Sequence, residues 1–252
     1  MKQTIVEVDN VVKELGQGAG LVRALKGVSL QVRAGELTLL MGPSGSGKTT
    51  LLSIIGCILS PTSGSVTLAG EGTSGLSPEQ LADLRRRHIG FVFQSYNLFP
   101  TLTAMENVRI ALDVRGETPG EARRRAEEAL KEVGLGHRLH SFPRTMSGGE
   151  QQRVAVARAI AGQPKLILAD EPTAALDSEN GQAVMALIAE LAKDPNRAVL
   201  AVTHDPRIVP YADRVIRIED GKIVSETSRQ ELEGRVEVTE IKDRKRKRKL
   251  HA

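Results

Sequence analysis

The chain has 252 residues, 40% hydrophobic and 26% charged, a balance that fits a globular domain and excludes a fibrous or disulfide-dense scaffold. No apolar run approaches the ~20 residues needed to cross a bilayer, no leader is visible after Met1, and the single Cys57 allows no internal disulfide, so a cytoplasmic setting is expected. The net charge of +4 belongs to a tail: Lys242–Lys249 sets seven basic side chains against Asp243, leaving 28 basic and 30 acidic residues elsewhere.

Taken in chain order, the residues through about Val32 alternate and predict a small, antiparallel sheet. Leu37–Met41 is a continuous apolar run, the pattern of a strand covered on both faces. A Gly-rich loop follows it, then a helix-compatible run from Thr50 to Ile55 and Cys57, which reads as a small buried hydrophobe. Ile89–Phe93 predicts a second buried strand. From there to Ile160 the strand signal gives way to helical spacing, with Ala122, Ala126, Ala129, Leu130 and Val133 on one face of residues 121–133. Leu166–Ala169 and Ala198–Thr203 return to buried-strand composition. Asp213–Ile218 and Lys222–Ser225, joined by Glu219-Asp220-Gly221, predict a hairpin.

Alternating strands and helices predict an α/β fold: a parallel-sheet core, an N-terminal antiparallel β subdomain and an inserted helical subdomain at about 95–160. One domain is expected over 1–229, followed by a charged tail at 230–252 expected to be disordered. No internal repeat suggests a second copy of the unit.

Three strings carry chemistry. Gly42-Pro43-Ser44-Gly45-Ser46-Gly47-Lys48-Thr49-Thr50 lies between a strand and a helix, the context of a phosphate-binding loop. Its glycines turn backbone N–H groups around an anion, Lys48 reaches the β- and γ-phosphates, and the Thr49 hydroxyl ligates Mg²⁺. The strand Leu166–Ala169 ends in Asp170, suited to hold Mg²⁺ through water, and Glu171, suited to polarise an attacking water as general base. Ser147-Gly148-Gly149-Glu150 opens a second helix whose N-terminus is built to meet phosphate. One nucleotide does not need two such sites, so this one is expected to face a nucleotide held by a second subunit.

Together these strings resemble the nucleotide-binding subunits of ABC transporters, over about Thr4 to Glu226, with the Ser-Gly-Gly-Glu-Gln string as the specific signature. The resemblance implies an ATPase using ATP and Mg²⁺ and working as a head-to-tail homodimer. It makes Gln94 the glutamine that touches Mg²⁺ and the attacking water, Asp177 the aspartate that crosses the dimer interface, and His204 the switch histidine at the γ-phosphate. His88, His137, His140 and His251 sit in no such motif and are expected at the surface. It also implies a separate permease docking near Gln94–Pro100, where Tyr96, Leu98, Phe99 and Pro100 are costly to leave in water. A peripheral position on the inner face of the plasma membrane follows.

Two departures stand out. The family places an aromatic residue against adenine, but residues 1–90 contain no Phe, Tyr or Trp and Leu15 takes that place; Met146 replaces the usual Leu. Leu51–Cys57, Pro61–Gly64, Thr203–Pro206 and Ala212–Arg214 are similar to the lipoprotein-release, macrolide-efflux and glycolipid-export branch, which implies export or extraction of lipids, lipoproteins or amphiphiles. A mechanotransmitting ATPase that activates an extracytoplasmic enzyme shares the same motor residues and stays open. Lys242–Lys249 reads first as a solvated charge run, with attraction to anionic lipid, at ~1 kcal/mol per residue held near the surface, as the alternative. Nucleic acid is not expected as a ligand.

Overall fold

In the computed structural model, residues 2–231 are described, and they run β1 (Thr4–Leu15), β2 (Val22–Arg33), β3 (Glu36–Met41), α1 (Lys48–Ile55), β4 (Ser63–Leu68), β5 (Glu71–Gly72), α2 (Pro78–His88) and β6 (Ile89–Val92). The helical stretch follows with α3 (Ala104–Asp113), α4 (Pro119–Glu132) and α5 (Gly148–Ile160), before β7 (Leu166–Asp170), α6 (Ser178–Leu191), β8 (Ala198–Thr203), β9 (Arg214–Glu219) and β10 (Lys222–Ser228). Lys242–Lys249 and His251, and with them residues 232–252 of the tail expected at 230–252, lie outside the described residues.

Two sheets form. The smaller has the order β2-β1-β4-β5 and is antiparallel, and the larger has the order β10-β9-β3-β8-β7-β6. Strands β9, β3, β8, β7 and β6 are mutually parallel, and only β10 turns back against β9. This is the α/β architecture the sequence predicts, with β8 matching its expected span and β6 ending one residue early at Val92.

Alternation along each central strand divides the core. Leu37, Leu39 and Met41 of β3, Ile167 and Ala169 of β7, and Val199 and Ala201 of β8 join one apolar cluster with α3 to α6. Leu40, Leu166, Leu168, Ala198, Leu200 and Val202 point the other way, into a cluster with α1 and the small sheet. A sheet buried on both faces requires the near-continuous Val, Leu and Ala runs seen in these strands. Each fully buried Leu or Val contributes about 1.5–3 kcal/mol before entropy is counted.

Local chemistry sets the helix ends. Ser77, Thr103 and Ser147 each form a reciprocal capping box with the residue three positions on, Gln80, Glu106 and Glu150. Helix α2 is missing from the apolar pattern because Leu84 is its one buried residue, yet Ser77-Pro78-Glu79-Gln80 carries its start signal. Helix α5 lies hard against β6: a Cβ on Gly90 would come within 2.1 Å of the Ala159 carbonyl oxygen.

Candidate active site

The loop expected to bind phosphate is the turn between β3 and α1. Its first residue must be glycine, since a Cβ on Gly42 would sit 2.0 Å from the Ile218 carbonyl oxygen. Helix α1 begins at Lys48, two residues before the expected run, so the first-turn N–H groups of Lys48, Thr49 and Thr50 have no acceptor within the helix and face the loop's mouth. Lys48 is buried to 8% exposure and its ammonium donates to the carbonyls of Gly42 (2.8 Å) and Pro43 (2.7 Å). The turn of the β9–β10 hairpin props the loop from below: Gly221 N–H donates to Ser46 O at 3.1 Å, and Lys26 N–H donates to Gly221 O at 2.8 Å. Ser46 Oγ is buried without a hydrogen-bond partner.

Parallel pairing of β7 with β8 puts the ends of both strands at one edge of the sheet. Asp170, the last residue of β7, is half-buried, with Oδ1 buried and unpartnered. Burial, then the neighbouring Glu171 charge, pushes its carboxyl above the usual aspartate range, and Lys48 works against them. Glu171 adopts a left-handed backbone conformation (φ +47°), which costs about 1–3 kcal/mol and has to be held by its surroundings. Its N–H donates to Val202 O at 3.0 Å, and its Oε1 lies 2.8 Å from Nδ1 of His204, the residue after β8.

Leu15, Lys48, Thr49, Gln94, Glu171 and His204 line one cavity of about 640 Å³, within the usual range for a small-ligand or cofactor pocket. Ser147, Gly148, Gly149 and Asp177 are not among its lining residues. Ser147 is exposed; its Oγ accepts from Glu150 N–H at 3.2 Å, which leaves the hydroxyl proton for another acceptor. The Glu150 carboxylate is occupied in the cap, taking Ser147 N–H (2.8 Å) and Arg138 (3.1 Å), which hold it below the usual glutamate range. Asp177 caps α6, accepting from the Asn180 backbone at 2.9 Å and side chain at 2.7 Å.

The residues present fit a hard divalent cation that keeps phosphate and water among its ligands. Among the described residues no group of three or more His, Cys, Asp or Glu could cage a metal alone. The donors on hand are an orphaned Asp170 oxygen, the exposed Thr49 hydroxyl and the exposed Gln94 amide, a sparse oxygen set suited to Mg²⁺.

Several working residues escaped the sequence reading. Asn107 is fully buried and ties down the loop after β6, accepting from Phe99 N–H at 2.7 Å and donating to the Phe99, Leu102 and Thr103 carbonyls. Arg158 of α5 donates to Tyr96 O (2.7 Å) and Asn97 O (2.5 Å). The fully buried Gln152 donates to Pro172 O (2.7 Å) and Phe93 O (3.4 Å). His88 is no surface residue: it is half-buried and pairs with Glu71 at 3.0 Å. Phe91 and Phe93 stack in parallel at 5.4 Å and are half-buried; Phe91 packs against the core, and both line a groove.

Known proteins resemble this chain in sequence and fold. The ABC transporter family model matches residues 25–174. The macrolide export ATP-binding/permease protein MacB of Marinobacter nauticus is 43% identical over 244 residues, covering 97% of this chain and 38% of that protein. MacB of Salmonella typhi is 46% identical, over 90% of this chain and 35% of its own length, so the chain spans little more than a third of these curated relatives. Among solved structures, a dimeric post-hydrolysis state of the ATP-binding cassette MJ0796 bound to ADP and Pi is 43% identical with a TM-score of 0.80, covering 88% of this chain and 98% of that one. The cbiO1 cassette of Clostridium perfringens, part of the ABC transporter complex cbiONQ, is 30% identical with a TM-score of 0.83 over 94% and 93% of the two chains. The chain belongs to the ABC transporter family and is built as its ATP-binding cassette, the ATPase unit of that family.

Proposed function

We propose that this cassette works as a head-to-tail dimer whose ATP hydrolysis drives a membrane permease that exports or extracts lipids, lipoproteins or amphiphilic compounds. The carrying observation is a division of labour: the cavity gathers Lys48, Thr49, Gln94, Glu171 and His204, while the phosphate-ready cap at Ser147–Gly149 is not part of it. A second copy supplies the missing half, in keeping with the MJ0796 cassette, which was solved as a dimer.

In the proposed reaction ATP lies along the loop with its β- and γ-phosphates at Lys48 and its base toward Leu15. Water attacks the γ-phosphorus, the bond to the β–γ bridging oxygen breaks, and the proton from water goes to the Glu171 carboxylate. Gln94 orients the water, and His204 steadies both Glu171 and the γ-phosphate. Thr49 and Gln94 directly, and Asp170 through water, would hold Mg²⁺, which would supply positive charge to offset that of the phosphates. Loss of the γ-phosphate removes what bridges the loop of one subunit to Ser147 and Asp177 of the other, so the dimer opens.

The load is proposed to attach at a groove of about 860 Å³ between α2, β6 and α3, lined by Arg85, Phe91, Phe93, Phe99, Val114 and Arg158. Phe99 and Val114 are 48% and 66% exposed, a cost in water that a permease segment would remove. Among the described residues no helix is long and apolar enough to cross a membrane. The export branch is supported by the MacB relatives, whose names pair an ATP-binding part with a permease. Contact of Lys242–Lys249 with anionic lipid is a further part of the proposal, tested by comparing liposome binding before and after deleting residues 242–252.

The decisive experiment is co-purification of tagged Glu171→Gln chain with ATP from gently solubilised membranes. A few-span permease with a large outer domain is the expected partner. A many-span permease accompanied by a solute-binding protein overturns the export assignment, and an outer-domain enzyme in its place favours mechanotransmission.

A further inference from the structure

We propose that Gln152 is a positioning residue that sets Gln94 and Glu171 relative to each other from within the signature helix α5. Its amide nitrogen is fully buried and donates to two backbone carbonyls, Pro172 O at 2.7 Å and Phe93 O at 3.4 Å. Pro172 directly follows Glu171, and Phe93 directly precedes Gln94. One side chain thus fastens the peptide beside each of the two groups assigned to the attacking water. The convergence of two carbonyls fixes which end of the amide faces them, since only the nitrogen can donate.

Packing alone does not explain the residue. Gln152 Oε1 is buried with no hydrogen-bond partner, so the site tolerates an orphaned acceptor to keep two donors where they are. An apolar side chain of the same length would leave no such orphan. The strain at Glu171 supplies a reason: its φ of +47° needs external support, and the bond to Pro172 O holds the next peptide. On the other side, Arg158 two turns along α5 grips Tyr96 O and Asn97 O, both residues at positive φ, so α5 holds the Gln94 loop on both flanks. Helix α5 is capped by Ser147, proposed to meet the partner's ATP. Gln152 therefore carries the position of that cap to the water-activating groups of its own subunit.

The inference rests on the roles given above to Gln94 and Glu171. Its test compares Q152M, which keeps length and loses both donors, with Q152N, which keeps the amide but withdraws it by one methylene. Phosphate release is followed across ATP concentrations, alongside binding of a non-hydrolysable ATP analogue and the melting temperature. Misplacement of this kind is expected to lower kcat by ~10- to 100-fold in Q152M, with analogue affinity held within about twofold and the Hill coefficient reduced toward one. Unchanged kcat in a folded Q152M overturns the proposal. So does a parallel fall of kcat, affinity and melting temperature in both variants, the mark of a purely structural role. If Q152M does not fold, Q152N decides on the same readouts. A parent chain that releases no phosphate overturns the ATPase reading together with this one, whereas an active parent with unaltered variants overturns this one alone.

Discussion

His204 Nδ1 lies 2.8 Å from Glu171 Oε1, joining the loop that follows β8 to the loop that follows β7 across two adjacent parallel strands. Glu171 is the proposed base and His204 the group that orients it. Glu171→Gln is expected to lower phosphate release by ~10²–10⁴-fold and to accumulate a dimer in the presence of ATP. Size-exclusion chromatography with and without nucleotide, beside a phosphate assay, checks both parts. Near-normal turnover in this variant removes Glu171 from its role.

Leu15 is 41% exposed and lines the cavity proposed to hold the nucleotide, and its cross-strand neighbour Val22 is 62% exposed. Leu15, which lines the cavity, offers adenine apolar contact but no aromatic face. ATP and GTP turnover are therefore expected to agree within about tenfold. Leu15→Tyr adds a stacking surface worth ~1–3 kcal/mol per base, and should tighten ATP binding accordingly in a titration. A hundredfold preference for ATP in the parent contradicts this account.

Asp170 sits where ionisation is unfavourable, through burial and the charge of Glu171. Its folded pKa is raised, so the folded state binds the extra proton. Stability falls as pH rises from the unfolded aspartate value through the folded one, and the penalty is complete above the latter. Asp170→Asn is expected to melt higher than the parent at neutral pH without nucleotide, with the difference shrinking in acid. The same change is expected to weaken Mg²⁺ activation by ~10-fold or more. Melting curves across pH and a Mg²⁺ titration of hydrolysis report the two effects separately; a neutral-pH melting point below the parent's would refute the first.

Gly90 allows α5 to rest on β6, with the Ala159 carbonyl where a Cβ would have to be. Gly90→Ala is expected to cost about 1–3 kcal/mol, the usual penalty of overpacking. Urea unfolding measures it directly. Because α5 carries Ser147, the same variant should also disturb ATP-dependent dimerisation.

The central strands were legible because burial on both faces demands unbroken apolar runs, and Ala198–Thr203 matches its strand residue for residue. The strand–loop–helix setting of Gly42–Thr50 and the end of a strand at Asp170 were legible because the apolar runs before them stop where the glycines and carboxylates begin. Other features leave no such trace. Phe93, Gln152 and Pro172 lie far apart in the chain, and only the placement of α5 beside β6 and the turn after β7 brings them together. The left-handed turn at Glu171 is invisible because a glutamate there looks like any other. Helix α2 faces water on most sides, which erased its periodicity while sparing its capping box.

The prop under the phosphate loop has a consequence for the order of synthesis. Ser46 is fixed by Gly221, and Gly42 packs on Ile218, so a loop made early in translation is finished by a hairpin made near the end of the domain. A nascent chain halted before β9 can already hold its first sheet and its helices, since N-terminal parts fold first. It should not yet grip ATP. Nucleotide binding thereby marks a cassette whose translation has passed residue 221, and a chain cut short of that point is expected to stay out of the dimer without any separate quality check.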